Sequence, residues 1–130
     1  MPHLLAWGDA SRVENAVESG MPDISYAIEG VQGWIETKLV RRGLLHFEKF
    51  QLAWLRKRLR HAHDNLWIFA VDDKGEAFYV YSALQVIMAN RVLKRDWLVI
   101  NVSNIGAPLV YGSNAPWPWE KVHMLLARLK

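Results

Sequence analysis

Asp23, Glu36 and Lys38 are the residues whose types and spacing invite a chemical reading. In the stretch SGMPDISYAIEGVQGWIETKLV, residues 19–40, an acid opens one strand-like run and a Glu-x-Lys triplet lies inside the next. Alternation along an extended chain puts Trp34, Glu36 and Lys38 on one face and Ile35, Thr37 and Leu39 on the other. Two opposite charges therefore share a face, with a second acid nearby in sequence. Carboxylates gathered in this way form an anionic cage, and a cage needs a cation close by. A strand with one wet face would give the same alternation without any chemistry, so the surrounding elements must decide.

Those elements follow from periodicity and turn residues. A short helix is predicted from Asp9 or Ser11, either of which can cap it, to Glu18, with Gly20 ending it. DISYAI reads as a strand, EGVQG as a turn with two glycines, and WIETKLV as the next strand, so residues 23–40 form an antiparallel hairpin. RRGLLH is a basic loop. From Phe47 to about His61, Phe47, Phe50, Trp54, Leu55 and Leu59 recur at helical spacing. LWIFAVDD and EAFYVYS are two more strands, joined by the turn signal Asp73-Lys74-Gly75. A helix follows over residues 82–93, WLVINV is one further strand, SNIGAPLVYGSNAPWP is a long loop, and a last helix starts near Pro118. The order predicts one α/β domain, residues 1–130, with a central mixed sheet flanked by helices and with Asp23, Glu36 and Lys38 near the middle of that sheet.

With these elements in place the motifs become specific. GMPD before an apolar strand, a Gly turn and then WIETK resembles the PD-(D/E)xK nuclease superfamily, Pro22-Asp23 matching the first motif and Glu36-Thr37-Lys38 the second. Gln51, in FEKFQLAWL, falls where small members of the VRR-NUC type carry a glutamine on the helix after that strand. RVEN ahead of GMPD, residues 12–15, also resembles small phage-encoded nucleases. The resemblance covers roughly residues 12–72 and implies a restriction-endonuclease-like core. It implies a Mg²⁺-dependent DNA endonuclease, with Mn²⁺ able to substitute, and within that class a Holliday junction resolvase acting on branched DNA.

The chemistry explains why these residue types belong together. Phosphodiester hydrolysis requires a nucleophilic water, neutralisation of the phosphoryl oxygens and help for the leaving oxygen, much of which carboxylate-held Mg²⁺ supplies. The resemblance makes Asp23 and Glu36 the hard oxygen ligands, with the Thr37 carbonyl completing the site, and Lys38 the cation that orients the water or stabilises developing charge. Glu14 is the candidate for an additional acid on a preceding helix, and Glu18, one turn on, is its alternative. The cellular resolvase pattern places another strand between that helix and the Pro-Asp motif, and this chain has almost no room for one. Gln51 is placed to bond the water, a metal ligand or a phosphate, although a helical Gln is more often simply solvated.

Charge points the same way. The chain carries 16 Lys and Arg against 13 Asp and Glu, but between positions 38 and 60 eight basic residues face only Glu48. Such an excess suits a polyanion, and Arg41, Arg42, Arg56, Lys57 and Arg60 are the candidate DNA contacts; a solvated helix face beside a basic loop is the plain alternative. His61 and His63 do not share a helix face, and the chain has no cysteine, which excludes disulfides and thiolate metal sites. No signal peptide or membrane span is evident, so the expected location is the cytoplasm, that of the host if the protein is phage-encoded. Trp97, Trp117 and Trp119, with the apolar HMLLARL end, suggest a homodimer interface or a cover for the sheet. A non-catalytic DNA-binding or assembly protein on the same fold, and a general non-specific nuclease, are the competing functions.

Overall fold

The run LWIFA is apolar at five consecutive positions, and all five side chains are buried in β5, Leu66–Asp72. A strand covered on both faces has no reason to alternate. It lies inside a six-stranded mixed sheet of order β1-β2-β3-β5-β6-β8, in the computed structural model, which describes residues 8–12, 23–60, 65–93, 98–114 and 116–127. The other strands are β1, Gly8–Arg12, β2, Ile24–Ile28, β3, Val31–Val40, β6, Ala77–Ser82, and β8, Val110–Ser113. Only the β3–β5 pairing is parallel; the remaining neighbours run antiparallel. A second sheet pairs β4, Leu44–Phe47, with β7, Leu98–Asn101. Three helices complete the described residues: α1, Lys49–Arg60, α2, Ala83–Leu93, and α3, Trp119–Leu126.

Alternation on the sheet divides the core in two. Leu66, Ile68, Ala70 and Tyr81 face a layer made of Leu52, Trp54 and Leu55 from α1, Ala83, Val86 and Ile87 from α2, and Leu45 and Phe47 from β4. Trp67, Phe69, Phe78 and Val80 point the other way, onto Val122 and Leu126 of α3 and the inward residues of β2. Glu36 and Lys38 belong to the first face. They therefore look toward α1 and β4, the two elements that close over β3.

Two tight turns set this geometry. Glu29 and Gly30, with φ of 52° and 78°, join β2 to β3, and Arg42 and Gly43, with φ of 55° and 74°, join β3 to β4. Positive φ at both central residues is the two-residue hairpin turn whose twist matches that of the strands. At the second turn Leu44 N–H donates to Arg41 O at 2.9 Å, and Arg41 N–H donates to Leu44 O at 3.1 Å.

The predicted hairpin over residues 23–40, the helix after it, the pair β5–β6 and the last two helices are all present. Three expectations are corrected and a fourth is located. Residues 8–12 form an edge strand paired with β2, where a helix had been expected from Asp9 or Ser11; the rest of that helix lies outside the described residues. The predicted basic loop RRGLLH is a turn followed by β4, so Phe47 sits in a strand and the helix begins at Lys49. The predicted strand WLVINV is present as β7, paired with β4 in the small sheet. The long predicted loop contains a 3₁₀ turn at Val102–Asn104 and the edge strand β8. No described helix is long and apolar enough to cross a membrane.

Gly33 is required by close approach. A Cβ there would press on the Tyr26 hydroxyl and come within 2.6 Å of the Asn65 carbonyl, which is backbone and cannot swing away. Tyr26 is itself held, accepting from Trp67 Nε1 at 2.7 Å. Gly33→Ala is therefore expected to destabilise the protein by about 3 kcal/mol through overpacking, measured by chemical denaturation; a loss below 1 kcal/mol would show that β3 can shift.

Candidate metal and nuclease centre

Register brings the first acid to the second. β2 and β3 pair with Ile24 opposite Ile35, so Asp23, one residue before the first paired position, lies beside Glu36. There the β2 ladder ends, and the Thr37 N–H donates to Asp23 Oδ2 at 2.9 Å in place of a strand carbonyl. The Thr37 hydroxyl donates to the same oxygen. A residue's N–H and C=O leave a strand on the same side, so the Thr37 carbonyl also faces the vacant end of β2.

Gln51 is fixed by the start of its own helix. It is the third residue of α1, and its Oε1 accepts from the Glu48 N–H at 2.9 Å, the side-chain-to-backbone half of a capping box. The same Oε1 accepts from Lys38 Nζ at 2.7 Å. With its oxygen engaged by two donors, the amide turns Nε2 toward Glu36 Oε1 at 3.3 Å. Lys38 Nζ also lies 4.9 Å from the centroid of the Phe47 ring, a cation–π contact contributed by β4. Beneath Lys38 the neighbouring residue on β5 is Ala70, and beneath Glu36 it is Ile68.

Electrostatics follow from burial. Glu36 is 4 % exposed, and desolvation, reinforced by the negative charge of Asp23 and a hydrogen bond with it, pushes its carboxyl from 4.5 up to about 8. Lys38 pulls it back only in part. Burial likewise lowers the Lys38 ammonium, against the opposing pull of Glu36, Asp23 and Glu48. Two acids are thus held together where one of them resists ionisation, and a bound divalent cation would relieve that crowding. Among the described residues no three His, Asp or Glu side chains gather to hold a metal. Mg²⁺ needs fewer, since it binds through one or two carboxylates and keeps several waters. Asp23, Glu36 and the Thr37 carbonyl fit that requirement.

Asp23, Glu36, Lys38 and Gln51 are therefore brought into one cluster. Glu14 and Glu18 lie outside the described residues, as do His61, His63 and Trp97. The basic residues are distributed over two elements. Arg41 and Arg42 are exposed at the β3–β4 turn, with Arg41 about 10 Å along the strand from Lys38. Lys57 and Arg60 are exposed on the second half of α1, while Arg56 is half-buried and donates to Asn90 on α2. Arg58 lies over the Trp54 ring, 4.8 Å from its centroid. Sequence reasoning missed the Thr37 side chain, because alternation sends it to the opposite face, and the Phe47 ring, because Phe47 was assigned to a helix. The Glu48–Gln51 spacing was the available signal that Gln51 is locked by a cap.

A mixed sheet with helices on both faces, carrying an acid pair and a lysine on its central strands, has the restriction-endonuclease-like fold. The chain is similar in structure to Archaeoglobus fulgidus Hjc, a Holliday junction resolvase from an archaeal hyperthermophile, with a TM-score of 0.53 and 17% sequence identity. The similarity covers 78% of this chain and 80% of that one, so it extends well past the motif region. No protein-family model and no curated protein matches the sequence.

Proposed function

We propose that the protein is a divalent-metal-dependent DNA endonuclease selective for branched DNA, of the Holliday junction resolvase type. The observation that carries this reading is the single cluster of Asp23, Glu36, Lys38 and Gln51, with both acids next to a lysine that Gln51 holds in place. The kinship of fold with a resolvase supports it. Mg²⁺, or Mn²⁺ in its place, would be held by the Asp23 and Glu36 carboxylates and the Thr37 carbonyl; when bound it supplies charge neutralisation at the scissile phosphate and an acidified water. Lys38 Nζ stands on the same face, placed to orient the attacking water or to meet negative charge developing on the phosphate. Gln51 holds that ammonium, and the Phe47 ring shields it from bulk solvent.

A four-way junction presents two strands for symmetric cutting, and one chain offers one such cluster. Two copies related by a two-fold axis supply the pair most simply, so the working form is a homodimer. Trp117 and Trp119 do not need to serve it, because both pack on Phe78 and cover the sheet within the chain. The setting is DNA metabolism in a bacterial or phage-infected cytoplasm. Purified protein incubated with Mg²⁺ or Mn²⁺ and linear, nicked, flapped and four-way DNA should cut the branched substrates fastest, and its solution mass should be that of two chains. A monomer cutting all four equally would leave a general nuclease. Metal-independent binding without products would leave a DNA-binding protein.

Arg41 and Arg42 are exposed on the β3–β4 turn, where they would be placed to meet a phosphate near the one being cut. Replacing both by Ala is expected to lower the slope of log affinity against log salt by about two, one for each phosphate contact removed. An unchanged slope in a binding titration would make the turn a bystander.

A further inference from the structure

We infer that the Thr37 side chain is a positioning residue for the cation site, clamping one oxygen of Asp23 so that the other stays turned toward the metal. The inference rests on the metal-dependent reading above and adds to it a role for the residue between the two motif positions. Thr37 lies between Glu36 and Lys38, and strand alternation aims its side chain away from both. Asp23, however, lies past the end of the β2 ladder, where no strand backbone separates the two faces. The carboxylate therefore receives two donors from one residue, the backbone N–H at 2.9 Å and the hydroxyl, both on Oδ2.

Two donors on a single oxygen restrict both torsions of the aspartate. Oδ1 receives neither of these donors and is then the oxygen a cation would take, and the carboxylate stays beside Glu36 without a metal to hold it there. Threonine suits this task because its branched Cβ stiffens χ1 and so keeps the hydroxyl in place. Valine would keep the branching and the volume but lose the donor, whereas serine would keep the donor. Partners of this kind, one bond removed from the metal, typically change metal affinity by about 10- to 100-fold when lost. The N–H remains in any variant, so the lower end of that range is expected.

The test is a Mn²⁺ titration followed by the electron paramagnetic resonance of the free ion, on the full chain without DNA. Thr37→Val is expected to bind Mn²⁺ about tenfold more weakly than the wild type, and Thr37→Ser within about twofold of it. Metal-free thermal unfolding is run in parallel, and if Thr37→Val does not fold, Thr37→Ala carries the same comparison with serine. Wild-type affinity in the valine variant would overturn the inference, as would equal losses in valine and serine, which would point to packing by the methyl group. A wild-type protein that binds no Mn²⁺ would remove the metal-dependent reading itself, and the clamp with it.

Discussion

Glu36→Gln is expected to abolish DNA cleavage and, in the absence of metal, to raise the unfolding midpoint at pH 8.5 by about 10 °C. The two effects have one origin. The Glu36 carboxyl is raised from 4.5 to about 8 by burial and by Asp23, so between those values the folded protein holds a proton that the unfolded chain releases. Its contribution to stability is fully present below about pH 4.5 and is lost as the pH climbs through 8. The loss is on the order of 3 kcal/mol for the metal-free protein. Glutamine is neutral throughout, so the variant should melt with the wild type near pH 5 and progressively above it toward pH 8.5. Divalent cation should reverse the ranking, because binding displaces the Glu36 proton and stabilises only the wild type. For the same reason wild-type Mn²⁺ affinity should rise by up to about tenfold per pH unit and level off above pH 8. A glutamine variant that melts below the wild type at pH 8.5, or that still cuts DNA, would refute the assignment. Asp23→Ala should also end cleavage while leaving DNA binding intact, since removing an acid takes no cation away from a phosphate backbone.

Lys38→Ala is expected to slow cleavage by about 10²- to 10⁴-fold while leaving Mn²⁺ affinity within a few-fold of the wild type. An ammonium has no lone pair to give a metal ion, so on the proposed reading its removal would take away charge opposite the phosphate and leave the acids in place. Lys38→Arg should rescue little. The niche is bounded by the Gln51 amide and the Phe47 ring and suits a compact ammonium, whereas a planar guanidinium needs a wider fork. Single-turnover cleavage at saturating Mn²⁺ separates the chemical step from binding. Full activity in the alanine variant would assign Lys38 to charge balance alone.

The pattern of the β2–β3 hairpin was legible because its residues agree at every level: alternation, a glycine turn, and acids at positions where register must join them. Gln51 was legible as a motif position, but its fixed orientation was not, because that comes from the Glu48 N–H and from a lysine on another element. The first strand was hidden because GDASR has little intrinsic preference for extended structure; pairing with β2 makes it a strand, a tertiary effect that overrides local propensity. The β3–β4 turn was hidden because Arg42 occupies a left-handed position usually taken by Asn, Asp or Gly. β8 was hidden by the turn residues around it. Its Gly112 is covered by Trp117 and Pro118, five and six positions further on, a contact that neither propensity nor periodicity reveals. Thr37 illustrates the limit of alternation, which describes a strand inside a sheet and says little about a side chain at the end of a neighbour.

The mixed topology also sets an order of assembly. β2 and β3 meet across a two-residue turn, whereas the parallel pair β3–β5 joins Trp34 to Leu66, 32 positions apart, with β4 and α1 between them. By polymer closure entropy the second pairing costs roughly 2 kcal/mol more to nucleate. Every described member of the cluster lies between Asp23 and Gln51, on the near side of that closure. The hairpin can therefore bring the two carboxylates together while they are still hydrated, and docking of α1 then adds Gln51 and removes the water. On that order the electrostatic cost of the site would fall with the docking of α1, late on the folding path, so near pH 8.5 Glu36→Gln is expected to act mainly by slowing unfolding and to leave the rate of folding nearly unchanged.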